Sequence, residues 1–193
     1  KNGQETARIR LNVFREESPA LFPENNRPQF IIEMADLPES NPIPLRVTFF
    51  DDEKKSTGIL SNLKTNNYLT FIMAVKYAYQ NGFDDALILN TRDGICEATS
   101  SNVFFIKDRS VFTPPLSEGC VAGVMRRHLL KRLPGLGFSV HEVPVTREMV
   151  SEMDEVFLTN AIRGIRPVKC IANCEYTKKL TEAIVGSLTK QGG

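Results

Sequence analysis

The sequence predicts an α+β fold, a barrel-like mixed β-sheet with helices packed outside it. Three observations carry this expectation. Short apolar or alternating runs outnumber helical runs, roughly eight or nine against four by periodicity. The two kinds of run do not alternate strictly, as a doubly wound parallel sheet would require. The 193 residues, 41% hydrophobic and 24% charged, are enough for one domain with a buried core.

The elements follow in order. Residues 8–14 alternate polar and apolar, as a half-buried strand does. Glu16 to Pro28, with three prolines and Asn25-Asn26, reads as a linker. Residues 30–34 and 45–50 are strand candidates, and 51–57 is a charged turn. From Thr65 to Gln80 the period changes. Leu69, Ile72, Met73, Lys76 and Tyr77 fall at helical spacing, and Gly82 closes the helix. Strands are expected at 86–89, 95–101, 103–106 and 111–113, with Asp108-Arg109 turning between the last two and Pro114-Pro115 stopping the run. A small-residue loop, 119–123, leads into a helix at 124–133 that Pro134-Gly135 ends. Strand 139–145 precedes Thr146, which caps a short helix to Met153. Strands at 155–159 and 165–171 and a helix at 180–189 complete the chain before Gly192-Gly193.

Composition narrows the function. With 24 Lys+Arg against 23 Asp+Glu, the charge balance supports neither a nucleic-acid partner nor a polybasic membrane anchor. No run approaches the ~20 apolar residues of a membrane-spanning helix. The start, Lys1-Asn2-Gly3-Gln4, carries neither an initiator Met nor the apolar stretch of a signal peptide. Cys96, Cys120, Cys170 and Cys174 are too sparse for a disulfide framework, and neither His128 nor His141 completes a zinc set, so buried free thiols in a reducing cytoplasm are expected.

Three segments have chemical potential. Glycines of 119–123 precede a helix, whose first N–H groups suit an anion such as phosphate. Lys64 stands just before the helix from Thr65, where a cation opposes the helix dipole. A buried lysine of lowered pKa there can form a Schiff base, against the simpler reading of a solvated side chain. Glu97, among small and hydroxyl residues, can face a cationic nitrogen or simply end a strand. The basic run Arg126-Arg127-His128 with Lys131-Arg132 reads as a solvated helix face.

Taken together, the segments resemble the fold-type IV pyridoxal-phosphate enzymes, the class IV aminotransferase family. The resemblance runs from about residue 8 to about residue 190. It rests on Leu63-Lys64-Thr-Asn-Asn67-Tyr68-Leu, Asp85-Ala-Leu-Ile-Leu-Asn90, Glu97-Ala-Thr-Ser-Ser-Asn102-Val-Phe, Thr113-Pro-Pro-Leu, Gly123-Val-Met-Arg126, and Asp154-Glu-Val-Phe-Leu-Thr-Asn160-Ala161 with Ile165-Arg-Pro-Val168. It implies a D-amino-acid-aminotransferase-like fold and pyridoxal 5'-phosphate as cofactor. By resemblance, Lys64 is the Schiff-base lysine and acid/base, and Glu97 faces the ring nitrogen. The N–H groups of Val124 and Met125 cradle the phosphate, with Asn160 and Ala161 on a second phosphate-side turn. Tyr68 reaches the ring hydroxyl, with a one-residue gap in the alignment.

The resemblance also ranks the reactions. Aminotransferases of the family usually read Gly-Ile-Thr-Arg at the cradle, Thr or Ser at the second turn, and Glu-Ile-Thr-Pro after it. Here these are Gly123-Val-Met-Arg126, Asn160-Ala161 and Arg163-Gly-Ile-Arg166-Pro. This favours 4-amino-4-deoxychorismate lyase over a branched-chain or D-amino-acid aminotransferase. Family members begin with a small domain bearing a phosphate-binding arginine. Residues 1–28 are therefore expected to be its end plus a linker, and 29–193 the cofactor-binding domain; an inactive truncated domain is the third expectation. A small-molecule amine substrate, a homodimer and a cytoplasmic location are implied by the family.

Overall fold

The structure is a computed structural model that describes residues 6–17, 22, 25–38 and 43–189. Pro19, Pro23 and Gly192-Gly193 lie outside the described residues. The chain divides into two compact units, 1–41 and 42–193.

The first unit is a hairpin. Strand β1 (Arg8–Arg15) pairs antiparallel with β2 (Pro28–Ala35) along its whole length, from Arg8 opposite Ala35 to Arg15 opposite Pro28. At the described ends of the stretch expected to be a linker, Glu16 N–H donates to Arg27 O at 2.9 Å, and Pro28 already belongs to β2. The unit boundary lies near residue 41, because register commits β2 to β1. Ile9, Leu11 and Val13 share one face with Ile32 and Phe30, and all five are exposed.

The second unit contains β3 (Leu45–Lys55), α1 (Leu69–Gln80), β4 (Asp85–Asn90), β5 (Ile95–Ala98), β6 (Asn102–Lys107), β7 (Ser110–Thr113), α2 (Val124–Arg132), β8 (Ser139–Glu142), α3 (Arg147–Val150), β9 (Glu155–Asn160), β10 (Gly164–Ile171), β11 (Cys174–Glu175) and α4 (Lys179–Thr189). Its nine strands form one mixed sheet in the order β5-β4-β3-β10-β9-β6-β7-β8, with β11 on β10. The pairs β3–β4, β3–β10 and β7–β8 are parallel.

Connectivity forces this sheet to curl. Strands β5 and β6 are joined only by residues 99–101, yet β4, β3, β10 and β9 lie between them in the sheet. A flat sheet would separate them by about 24 Å. Four peptide steps reach at most about 14 Å. The sheet therefore wraps until β5 touches β6, and Ala98 N–H donates to Ser101 O at 2.8 Å. This is the half-barrel expected from the sequence.

Side chains alternate between faces along each strand. Val47, Leu87, Leu89, Val103, Phe105, Val156 and Leu158 fill the inside of the curl. On the outer face, Phe104, Ile106 and Phe157 pack with Leu129 of α2 and Ile184 of α4, while Phe50, Ala86 and Ile88 pack with Ala74 and Ala78 of α1. Both faces are buried, so β4 and β6 are almost continuously apolar.

Several local expectations change. Residues 51–55 are not a turn but continue β3, whose Lys55 pairs with Asn90 past an irregularity in register. Helix α1 starts at Leu69, four residues later than expected, and buries Ala74 and Ala78 with Phe71 and Tyr77 partly covered. Leu69, Ile72 and Met73, which fall at the helical spacing, are exposed. The face that meets β3 and β4 is the one with small residues, which let helix and sheet backbones approach. Thr146 precedes α3 but its side chain makes no cap bond. Cys96, Cys120 and Cys170 are buried, whereas Cys174 is only half-buried; all four are free thiols.

Phe104 and Phe157 are fully buried and stack at 5.0 Å on neighbouring strands. Phe157→Ala is expected to destabilise the protein by about 3–5 kcal/mol, read as a lowered urea midpoint at unchanged slope.

Candidate functional site

The segments singled out in the sequence meet at one end of the curled sheet, held by buried side chains. Glu97 lies on β5 with 3% of its surface exposed. Its Oε2 accepts the Val121 N–H at 3.0 Å, and its Oε1 is paired with the Lys55 ammonium. Burial pushes the Glu97 carboxyl above its ordinary value, and Lys55, the peptide N–H and the more distant Lys64 pull it back. Glu97 therefore faces a cation already, supplied by β3.

The loop carrying Lys64 is tied into the same set. A 3-10 turn at Ile59–Asn62 precedes it. The Asn62 carboxamide donates to Leu116 O at 2.8 Å and Cys120 O at 2.7 Å, and Asn62 O accepts the Ala122 N–H at 3.0 Å. Lys55 Nζ donates to Ser61 O at 2.9 Å. Lys64 itself is exposed, with Nζ 5.3 Å from the centroid of the Tyr68 ring. Of the two environments open to this lysine in the sequence, buried and solvated, it has the solvated one, and α1 starts five residues beyond it, too far for a strong dipole effect. Tyr68 is half-buried at the N-cap of α1, edge-on to Phe71 at 6.1 Å.

On the other side, Gly123 is the N-cap of α2 and offers no side-chain cap. Val124 is exposed and Met125 half-buried at the helix start. Asn102 donates to Val121 O at 2.9 Å, and a Cβ on Gly123 would collide with the Asn102 carboxamide oxygen. The first turn of α2 is therefore bare backbone held close to β6. Gly119 has φ +88°, and a Cβ there would lie 2.6 Å from Ser56 O, so no other residue fits between the two loops. Arg126 is buried in the next turn and donates to Pro114 O at 2.9 Å and Glu142 at 2.5 Å, so it is a structural cation and not part of a solvated basic face.

Asn160 ends β9, and Ala161 begins the turn after it. The Asn160 side chain donates to Ser101 Oγ at 3.0 Å and accepts the N–H groups of Ile162 and Arg163 at 3.0 and 2.8 Å. It shapes its own turn and holds the β5–β6 turn; Ala161 is exposed. Sequence reading missed Lys55, Asn62 and Asn102. Asn102 stood inside a recognised motif and Asn62 directly before one, so both had a signal; Lys55 had none, because its partner is 42 residues away.

A curled mixed sheet that brings a lysine loop, a buried carboxylate and a bare helix start to one end is the architecture of a family. The chain belongs to the class IV aminotransferases: the sequence pattern described as amino-transferase class IV matches residues 1–171. An aminodeoxychorismate lyase of Vibrio harveyi is 36% identical over 135 residues, covering 67% of this chain and 50% of that protein. A probable branched-chain-amino-acid aminotransferase of Synechocystis sp. is 28% identical over 160 residues, covering 82% of this chain and 52% of that protein. The crystal structure of a putative 4-amino-4-deoxychorismate lyase of Legionella pneumophila superposes with a TM-score of 0.88 at 26% identity, over 95% of this chain and 69% of that one. The chain thus spans about half the length of these curated relatives.

Gly119→Ala is expected to cost at least about 2 kcal/mol, from the left-handed backbone and the contact with Ser56, and to appear as a lowered thermal midpoint of the protein without added ligand.

Proposed function

We propose that this chain is the cofactor-holding part of a pyridoxal-phosphate enzyme that converts 4-amino-4-deoxychorismate to p-aminobenzoate and pyruvate. The observation that carries the reading is Glu97: a carboxylate buried on β5, bonded to the segment that starts α2 and joined through Lys55 to the loop that ends in Lys64. The residues fit the cofactor on chemical grounds. Gly123 leaves the Val124 and Met125 N–H groups free of a side-chain cap, as a phosphate needs. Glu97 can accept further bonds, since a carboxylate has about four acceptor positions and only two are used.

When bound, the cofactor supplies an electron sink for charge left on a substrate carbon. The chain's own residues do the rest. Glu97 holds a proton at the ring nitrogen, and the α2 N-terminus orients the phosphate with the turn at Asn160 and Ala161 beside it. Tyr68 lines the ring hydroxyl. Lys64, exposed at the mouth of the site, supplies the amine that binds the aldehyde carbon. Its amine would also take the proton from the substrate ring carbon and return it to the departing enolpyruvyl group, which leaves as pyruvate.

Two similarities support the lyase: the Vibrio harveyi and Legionella pneumophila relatives carry that name. The cradle and second turn, with Met125 and Asn160-Ala161 in place of the hydroxyl residues of aminotransferases, point the same way. A branched-chain aminotransferase is the second reading, favoured by the Synechocystis relative, whose likeness extends over more of this chain. We propose a homodimer, supported by the exposed face of Leu69, Ile72 and Met73 on α1. No described helix is long and apolar enough to cross a membrane, and a cytoplasmic location suits the substrate.

With pyridoxal phosphate and borohydride, the pyridoxyl mass is expected on the peptide containing Lys64 and is expected to vanish in Lys64→Ala. A label elsewhere removes Lys64 from its role. With the complete gene product, aminodeoxychorismate is expected to yield p-aminobenzoate and pyruvate in equal amounts. Glutamate-dependent transamination without that product would establish the second reading.

A further inference from the structure

Lys55 is a half-buried cation in the site that no motif accounts for. It sits at the end of β3 with 14% of its side chain exposed, and Glu97 opposite it has 4%. Three partners hold its ammonium: Glu97 Oε1, Ser61 O at 2.9 Å, and the Phe71 ring of α1, whose centroid is 5.4 Å away. Those partners belong to β5, to the loop leading to Lys64, and to the helix that follows Lys64. One ammonium therefore links the carboxylate of the site to both sides of the lysine loop.

We propose that Lys55 is the positioning residue of this site: it fixes Glu97 against Val121 and ties it to the loop that presents Lys64. The inference rests on the reading of Glu97 as the partner of the cofactor ring nitrogen, but its first consequence belongs to the protein alone. A carboxylate this buried needs a counter-charge. The charged groups that face Glu97 are Lys55 from β3 and, farther off, Lys64 from the loop. The Cys96 and Cys120 thiols beside it stay neutral, burial pushing Cys120 up to about 11 and Cys96 higher still. Glu118, behind Cys96, is occupied by Arg92 and Asn90. Lys55 is thus the close cation, and its other two bonds keep it in place when Glu97 accepts a further donor.

The signs follow. Without Lys55, the Glu97 carboxyl rises further above its value in the unfolded chain. Stability relative to wild type is then kept at low pH and lost as pH rises through the folded-state value.

The experiment compares wild type with Lys55→Met, Lys55→Arg, Glu97→Gln and the double variant Lys55→Met/Glu97→Gln, all free of cofactor. Thermal midpoints are recorded from pH 5 to pH 9, and pyridoxal phosphate affinity is titrated by fluorescence at pH 8. The midpoint of K55M is expected to fall away from that of wild type as pH rises. K55R should track wild type, and the double variant, which removes both charges, should lose the extra slope. K55M is expected to weaken pyridoxal phosphate binding about tenfold, and to add less than twofold in the E97Q background.

A K55M curve parallel to wild type at every pH, or tighter cofactor binding by K55M, overturns the proposal; the second result would make Lys55 a competitor of the ring nitrogen. If K55M does not fold, the double variant decides, since failure of that variant too would mean that Lys55 serves packing and not Glu97. A wild type that takes up no pyridoxal phosphate refutes the cofactor reading, while the pH profiles still decide the pairing.

Discussion

The carboxylate of Glu97, buried at the edge of a sheet, is the constraint around which the site is built. Such a group is tolerated only with a cation and hydrogen-bond donors within reach. Here Lys55 and the Val121 peptide meet that need, and each is the end of a longer chain of contacts. Val121 is held by Asn102, and the next peptide, Ala122, by Asn62. Lys55 carries the loop before α1 through Ser61. Remove the carboxylate and the lysine loop, the small-residue loop and the start of α2 lose their common partner.

The sheet makes that meeting possible. Because three residues join β5 to β6 across a sheet order that interposes four strands, the sheet has no choice but to curl. The apolar side chains of its inner face then find one another from both ends, and Ile95 on β5 packs in the same cluster as Val103 on β6. The antiparallel register of β6 and β9, with Asn102 opposite Thr159, brings the turn after β9 to the turn between β5 and β6, where Asn160 donates to Ser101. Core and site are therefore one problem, since the packing that closes the curl also sets the distance between the loops.

Much of this was legible in the sequence. The strands at 85–90, 102–107 and 155–160 are short apolar runs bounded by polar residues, and the structure places them where the pattern did. Lys64, Glu97, Gly123 and Asn160 stood in recognisable spacings and fall at one end of the sheet. The failures have physical causes. On helix α1 the large residues showed the helical spacing but not the buried face; close approach to the sheet selected Ala74 and Ala78. Asp51 to Lys55 looked like a charged turn because charge in a strand is legible only when its partners are known. Lys54 pairs with Asp93 and Lys55 with Glu97. Prolines from residue 19 to 28 suggested a boundary, whereas the register pairs β2, which begins at Pro28, with β1.

By itself, the sequence determined the class of fold, through local periodicity, and the family, through the resemblance of its motifs, and it named the candidate site residues. Only the tertiary structure decided which cation neutralises Glu97, which face of α1 is buried, and that Lys64 stands exposed rather than enclosed. These are long-range matters. A pair 42 residues apart becomes adjacent only when β3, β4 and β5 align in register, and no local pattern encodes that register.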